Sequence, residues 1–190
     1  MNAKTEFAMA FHSQTIYLAA ALICAVTASV HDLRSRRIPN LLTGPAILFG
    51  LLLHLILGGP AQMGLSALAG VVAGGIFFLF FMAGGMGAGD VKLMAAVGCL
   101  AGTEYIQDVL IATVILGACM GLGLAVYRGR FRQTFMNVMT LMQHHSAVGL
   151  AEHPEINVRN ASTLRLPYAL PIALGCLLTL FLASGKELVR

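Results

Sequence analysis

The sequence is short of charged side chains. Only 11% of its 190 residues are Asp, Glu, Lys or Arg, whereas soluble domains carry about 25%. With 58% hydrophobic residues and a mean hydropathy of +0.83, the chain is too apolar to bury its nonpolar surface in one soluble core. The low charge therefore excludes an ordinary soluble domain and predicts a polytopic, all-α integral membrane protein.

The sequence also lacks any C-x-x-C pair. Its four cysteines are isolated, each within or against an apolar stretch: Cys24, Cys99, Cys119 and Cys176. Structural zinc sites need closely spaced thiolate or imidazole ligands, and this spacing does not provide them. We expect four small buried hydrophobic side chains, and neither a metal nor a cofactor.

A basic nucleic-acid-binding face is missing too. The formal net charge is +4, but the basic residues lie between apolar runs, where they act as an orientation signal. We therefore expect the lipid bilayer, and no nucleic acid, as a partner. The first fourteen residues have no basic region typical of a signal peptide, so the first apolar segment is predicted to be retained.

Six apolar segments are candidate membrane spans, judged against the roughly 20 residues that cross the hydrocarbon core. They are residues 15–30, 41–57, 65–83, 91–102, 106–127 and 168–184. The fourth is short, so it is either a tilted helix or a half-buried one that begins in the preceding glycine loop.

These segments predict a single domain over residues 1–190. A short outer N-terminus (1–14) is followed by spans one to five (15–126), a long polar connection (127–167) and the last span (168–184). In the first half of the connection, apolar side chains recur every three or four residues beside arginines. This pattern fits an amphipathic helix on the membrane surface and equally a loop helix folded against the bundle.

The distribution of Lys and Arg predicts the orientation. If the chain starts outside, the first, third and fifth connections face the cytoplasm and hold nine of the twelve basic residues. Because cytoplasmic loops are enriched in Lys and Arg, we expect both termini on the periplasmic side.

Two carboxylates then fall at the same membrane face. Asp32 lies at the inner end of span one and Asp90 at the inner end of span four. Ionisable groups at such positions usually face a cavity or a partner, and a pair of carboxylates can share one proton and activate water. Two structural alternatives stay open. Asp32 could balance Arg34 and Arg36, and Asp90 could cap the N-terminus of its helix.

Neighbouring residues suggest how the two connections are built. Gly87 and Gly89 would let a substrate backbone approach closely and would permit a positive φ. Pro39 suits the first turn of span two, and Asn40 tolerates caps and turns. Lys92 either lowers the pKa of Asp90 or extends to the interface.

One further polar side chain lies inside an apolar span. We expect His54 to form a buried hydrogen bond to a neighbouring helix, with no chemical role.

Two motifs carry a family resemblance. The pattern D-x-x-x-x-x-I-P-N at Asp32–Asn40 and the pattern G-x-G-D-x-K-L at Gly87–Leu93 resemble those of bacterial type IV prepilin peptidases, which are aspartic proteases of the inner membrane. The resemblance implies that Asp32 and Asp90 are catalytic. It also implies a prepilin or pseudopilin precursor as substrate, cleaved at the cytoplasmic face, and the pilus secretion machinery as a further partner.

The same resemblance assigns supporting roles. Gly87, Gly89 and Lys92 belong to the second motif, and Pro39 and Asn40 to the first. The stretch L-R-L-P-Y-A-L-P-I-A-L-G at residues 164–175 is similar to the start of the family's last span. Larger members add a zinc-binding C-x-x-C region associated with N-methylation. This sequence instead resembles the peptidases of tight-adherence (Flp-type) pilus systems, and we predict cleavage without methylation.

Three other functions compete with this interpretation. A presenilin-like protease that cuts within the bilayer shares the G-x-G-D signature. A small transporter could use the two aspartates as a proton or cation relay, and a structural subunit of a secretion machine would need neither aspartate.

Overall fold

The computed structural model of the chain describes residues 3–149 and 166–188, and all regular structure in these two ranges is helical. Five helices follow one another along the chain: α1 (Ala3–Ser35), α2 (Asn40–Met82), α3 (Ala88–Tyr127), α4 (Phe131–Val148) and α5 (Ala169–Leu188). The second half of the predicted polar connection (127–167) falls largely on residues 150–165, outside the described residues.

Helix α2 reverses direction at Gly59. The backbone there leaves the helical region, with φ 79° and ψ −177°. In a straight helix Gly50 and Gly70 would be about 30 Å apart, yet a β-carbon at either would touch Cys99. The two halves of α2 therefore lie side by side, and Pro60 follows the turn, where its missing N–H and fixed φ suit the start of a helix.

Helix α3 reverses in the same way at Gly102, where φ is 71° and ψ is 178°. A β-carbon at Gly117 would lie 3.8 Å from the ring of Tyr168, and Asp90 interacts electrostatically with that same tyrosine. In a straight helix Asp90 and Gly117 would be about 40 Å apart. The reversal brings both to one end of the bundle.

The two reversals divide the apolar helices into six segments, which is compatible with the six predicted spans. Helices α1, α2 and α3 are long and apolar enough to cross a membrane, and α5 contributes a shorter apolar helix at Ala169–Gly185. The protein is thus an all-helical, multi-pass membrane protein. The first half of α3 is about 20 Å long and the second about 37 Å, so the predicted short fourth segment is a complete but short helix.

Small side chains make up part of the interior of the bundle. Ala21, Ala25 and Ala73 are fully buried beside larger residues such as Leu93, while many large side chains, Phe181 among them, are exposed. This distribution is expected where lipid covers the outside and small residues let the helices pack closely.

The closest approach of the bundle is between α2 and α3. A β-carbon at Gly50 would lie 2.7 Å from the carbonyl oxygen of Cys99, and one at Gly98 would lie 2.7 Å from that of Ala69. Cys99 is buried, as are Cys24 and Cys176, but Cys119 is exposed. The prediction of four buried cysteines is therefore wrong for Cys119, which lies on the outer, apolar face of α3.

Candidate active site

Asp32 lies in the last turn of α1, at the point where the chain leaves the helix. The helix ends at Ser35, and Arg36 adopts the left-handed conformation, with φ 52°. The N–H of Arg36 donates to the carbonyl of Asp32 at 2.8 Å, which closes the helix as a left-handed C-terminal cap. Residues with a β-carbon adopt this conformation rarely. The left-handed conformation of Arg36 turns the chain sharply just after Asp32.

Asp90 lies in the first turn of α3, which begins after the glycine-rich connection. Gly84, with φ 75°, makes the turn that leads out of α2. The backbone N–H of Gly87 then donates to Oδ2 of Asp90 at 3.1 Å. Asp90 therefore does cap the helix, as the structural alternative predicts, and this cap uses one of its two carboxylate oxygens.

The two aspartates line one cavity. Its volume is about 260 Å³, which is room for several waters or a short peptide segment. The lining comes from the end of α1, the start of α3 and the approach to α5: Asp32, Leu33, Arg36, Gly87, Asp90, Leu166 and Pro167. Side chains that are 58 residues apart in sequence therefore face the same space, as the placement at one membrane face predicts.

Mutual repulsion in the cavity favours one ionised and one neutral carboxyl group, because two carboxylates that share one site resist ionising together. The charge of Asp32 acts on Asp90, whose carboxylate also accepts the Gly87 N–H. The positive charge of Arg36 lies close enough to Asp32 to act on it. A proton shared between two such groups is the arrangement used to activate water.

Two contacts join the Asp32–Asn40 motif to the Gly87–Leu93 motif. The Lys92 ammonium donates to Oδ1 of Asn40 at 2.9 Å, across the start of α2 and α3. A β-carbon at Gly89 would lie 3.2 Å from that of Ile38, so the absence of a side chain lets the two motifs pack together. Pro39 is the residue before the first turn of α2, with φ −71°, one position earlier than predicted.

The conformational reason proposed for the glycines is wrong. Gly87 has φ −87°, and Gly89 lies within α3 without a positive φ. The positive φ in this connection belongs to Gly84, also in the glycine-rich stretch. Gly89 is required for close packing against Ile38, and Gly87 contributes its N–H to Asp90.

The residues just before the last span also line the cavity, and the sequence pattern does not predict this. Leu166 and Pro167 line the cavity, and Tyr168 lies close enough to Asp90 for the carboxylate charge to act on its phenol. The sequence pattern identifies the L-P-Y stretch only as the start of the last span. Its sequence signal was the proline and tyrosine immediately before an apolar helix.

His54 lies far from the cavity and is fully packed. Its ring stacks on Tyr17 with centroids 3.9 Å apart. Nδ1 lies 3.0 Å from the carbonyl of Gly50 in its own helix. The predicted hydrogen bond to a neighbouring helix is therefore wrong, because the neighbour is reached by stacking. Among the described residues no three His, Cys, Asp or Glu side chains group as metal ligands.

Apolar helices around two carboxylates that face one cavity define a polytopic membrane protein with an acidic site at one end. Residues 19–122 match the type IV leader peptidase family. Since this match covers more than half of the chain, the protein belongs to that family, whose members are peptide-bond hydrolases. The matched range includes both aspartates and all the residues of the two motifs.

Curated relatives carry a more specific description. The chain is 38% identical over 105 residues to the prepilin leader peptidase/N-methyltransferase of Aeromonas hydrophila, covering 51% of this chain and 36% of the relative. It is 34% identical over 125 residues to the protein of that name from Burkholderia pseudomallei strain 1026b, covering 60% and 40%. The chain thus spans well under half of the length of these relatives. No solved structure matches it.

Proposed function

We propose that this protein is an aspartic endopeptidase that removes the leader peptide from type IV prepilins, of the Flp-like kind, at the cytoplasmic face of the bacterial inner membrane. The observation that carries the proposal is the shared cavity: Asp32 and Asp90 come from different helices and line the same space. Family membership and the names of the relatives support the peptidase activity and the prepilin substrate.

The proposed mechanism uses one water and one shared proton. The ionised carboxylate takes a proton from the water while the oxygen of that water forms a bond to the scissile carbonyl carbon. The neutral carboxyl group donates its proton to the carbonyl oxygen. Collapse of the tetrahedral intermediate breaks the C–N bond: one of its hydroxyl groups returns a proton to the second aspartate, and the leaving amine takes up the proton that the first aspartate accepted. Each proton transfer uses a carboxyl group that lines the cavity.

The Gly87 hydrogen bond gives Asp90 a defined orientation for this step. One carboxylate oxygen accepts the backbone N–H, so the side chain has a preferred rotamer at the edge of the cavity. Preorganised groups avoid the reorientation that a mobile side chain would need. The polarity of the first turn of α3, whose N–H groups point towards the cavity, favours an ionised group there.

The proposal is tested by cleavage of a precursor pilin with purified enzyme in detergent or liposomes. Asp32→Asn and Asp90→Asn should each lower the rate by several orders of magnitude, because an amide can neither accept nor deliver the proton. The double variant should be hardly slower than either single one, since the two groups act as a unit. The wild-type rate should follow a bell in pH bounded by the macroscopic pKa values of the pair.

A matched control for the same chemical change is Asp108→Asn. Asp108 is exposed in the second half of α3, beyond the reversal and away from the cavity, so its variant should cleave at the wild-type rate. If Asp32→Asn also cleaved at that rate, the shared-proton mechanism would be wrong, and Asp90 would remain only a helix cap.

We also propose that this chain cleaves without methylating the new N-terminus. The proposal is supported by the sequence, which contains no C-x-x-C pair like those of the zinc-binding region in larger family members. Enzyme, precursor and S-adenosylmethionine should yield a mature pilin whose mass shows no added methyl group. A methylated product from the purified components would overturn this part of the proposal.

The proposed orientation can be measured separately from the activity. In a cysteine-free background, Ser35→Cys and Ser146→Cys should resist a membrane-impermeant thiol reagent in intact cells, whereas Gln107→Cys should be labelled. Residue 107 lies beyond the reversal at Gly102, at the end opposite the aspartates. Labelling of Ser35→Cys would invert the orientation and place the cavity outside the cytoplasm.

A further inference from the structure

Helix α4 begins directly at the end of a membrane-spanning segment. The second half of α3 runs from Gly102 to Tyr127, about 37 Å of helix, which matches the hydrocarbon core with its interfaces. Tyr127 is 88% exposed, as is typical of aromatic side chains in the interfacial belt. A turn at Gly129, with φ 63°, separates α3 from α4, which begins at Phe131. The start of α4 therefore lies at the level of the lipid headgroups.

The apolar face of α4 points away from the protein. Phe131, Phe135 and Val138 lie three or four residues apart on one face and are 48%, 55% and 49% exposed. Thr134 and Asn137, on another face, are partly buried. A helix folded against a protein core would place its faces the other way round. Among the described helices, α4 contacts only α3, so the bundle does not cover the apolar face.

The charge at the start of α4 indicates what covers this face. Three exposed arginines, Arg128, Arg130 and Arg132, surround the turn and form what we term the arginine turn. Residues 128–149 contain no Asp or Glu, so the segment has a net positive charge. Apolar side chains beside arginines are the composition of helices that lie in the interface of anionic membranes.

We propose that α4 lies on the bilayer surface, with the face of Phe131, Phe135 and Val138 in the headgroup region and the arginine turn on anionic headgroups. The occupant of this face is the membrane itself. The proposal decides between the two positions that the sequence pattern leaves open, and it does not depend on peptide cleavage.

The absence of tryptophan from the chain allows a direct test. Phe135→Trp places a single fluorophore on the apolar face, and Gln133→Trp places one on the opposite, exposed face of the same helix. Val126→Trp, at an exposed site in the membrane-spanning part of α3, is the lipid-facing reference. Each full-length variant is reconstituted in liposomes of phosphatidylcholine with or without phosphatidylglycerol, and quenching by brominated acyl chains and by aqueous iodide is measured.

We expect brominated lipid to quench Phe135→Trp almost as strongly as Val126→Trp in anionic liposomes, and Gln133→Trp only weakly. Iodide should give the reverse order. Equal lipid quenching of Phe135→Trp and Gln133→Trp would overturn the proposal. Protection of Phe135→Trp from both quenchers would overturn it too, because a protein surface or a second copy would then cover the face.

The contribution of the charges is tested in the Phe135→Trp background. Replacing Arg128 and Arg132 together by Gln should reduce lipid quenching in anionic liposomes to the level seen in pure phosphatidylcholine. Salt should weaken quenching in the parent but not in this variant, because surface charge interactions are screened. Unchanged quenching in anionic liposomes would contradict the role of the arginine turn.

Discussion

Asp32 and Asp90 at one end of the bundle and His54 at the other end have contrasting surroundings. At the aspartate end, Asp32 and Asp90 border a cavity of about 260 Å³. At the turn end, where α2 and α3 reverse, His54 is 2% exposed and its ring is stacked on Tyr17. Both ends contain a group that can transfer protons. Among the described residues, Asp32 and Asp90 border a cavity, whereas His54 is enclosed by its neighbours.

The packing around His54 explains why this histidine has a structural role. Nδ1 lies at hydrogen-bonding distance from the Gly50 carbonyl, one ring face is covered by Tyr17, and a β-carbon at Gly102 would lie 2.7 Å from Nε2. A side chain enclosed in this way stabilises the reversal of α3. On the proposed function, unfilled space beside a carboxylate, more than burial alone, distinguishes the catalytic end of the bundle.

The largest expected effect separates activity from stability at the aspartate end. Asp90→Asn should lose activity by several orders of magnitude yet melt at the same or a higher temperature than wild type at pH 7. An ionised carboxylate at the edge of the membrane is costly. The amide removes this cost and can still accept the Gly87 N–H.

This prediction is checked by thermal unfolding in detergent at pH 7 and at successively lower pH. The advantage of the variant should shrink as the wild-type carboxyl group becomes protonated, because both chains then carry a neutral side chain at position 90. A variant that melts well below wild type at pH 7 would show that the ionised carboxylate stabilises the fold, and the contrast between the two ends would fail.

The second prediction concerns stability at the turn end. Gly102→Ala should destabilise the protein by about 1–3 kcal/mol through its positive φ and further through the contact with His54. Gly59→Ala is the matched control. Its φ of 79° is similar, but a β-carbon there would meet nothing within 4 Å. Thermal unfolding should therefore show a larger loss for Gly102→Ala, and equal losses would mean that His54 moves aside.

The third prediction concerns packing at the aspartate end. Gly89→Ala brings a methyl group to 3.2 Å from the Ile38 β-carbon, so the two motifs must separate slightly. We expect about tenfold lower kcat/KM, because small displacements of reacting groups are costly, with little change in melting temperature. Gly75→Ala, at a helical glycine whose β-carbon would meet nothing within 4 Å, should keep full activity. Equal activity of the two variants would contradict tight coupling of the motifs.

Hydropathy and charge were sufficient to predict the apolar segments and the common face of the two aspartates. They leave residues 58–64 between two candidate spans, whereas the helix resumes at Pro60 directly after Gly59. Hydropathy reports depth in the membrane but does not show where a helix resumes, so it does not predict the short turn. The two motifs contain Asp32 and Asp90, but not Leu166 and Pro167, which also line the cavity.

The packing of α2 on α3 could be predicted only in part. Gly70 and Gly74 are four residues apart, a spacing that marks close helix contacts in membranes, and both face α3. Their partners on α3 depend on contacts between distant parts of the chain, which no local pattern specifies. The same limit applies to His54, whose stacking partner lies 37 residues earlier in the sequence.

The smallest expected effect concerns Lys92, for which the sequence left two roles open. Its ammonium donates to Asn40, a contact on the exposed rim that contributes about 1 kcal/mol or less. If this hydrogen bond is its role, Lys92→Gln, which can still donate to Asn40, should retain activity within about threefold, whereas Lys92→Met should lose slightly more.

If instead the charge acts on Asp90, both variants should move the limb of the pH–rate profile that reports Asp90 to higher pH, because removing a nearby positive charge raises the pKa of a carboxyl group. We expect no such movement, since Lys92 is held against the opposite connection, and Asn40→Ala should reproduce the effect of Lys92→Met. A displaced pH profile in Lys92→Gln would show that the charge, and not the hydrogen bond, matters at this position.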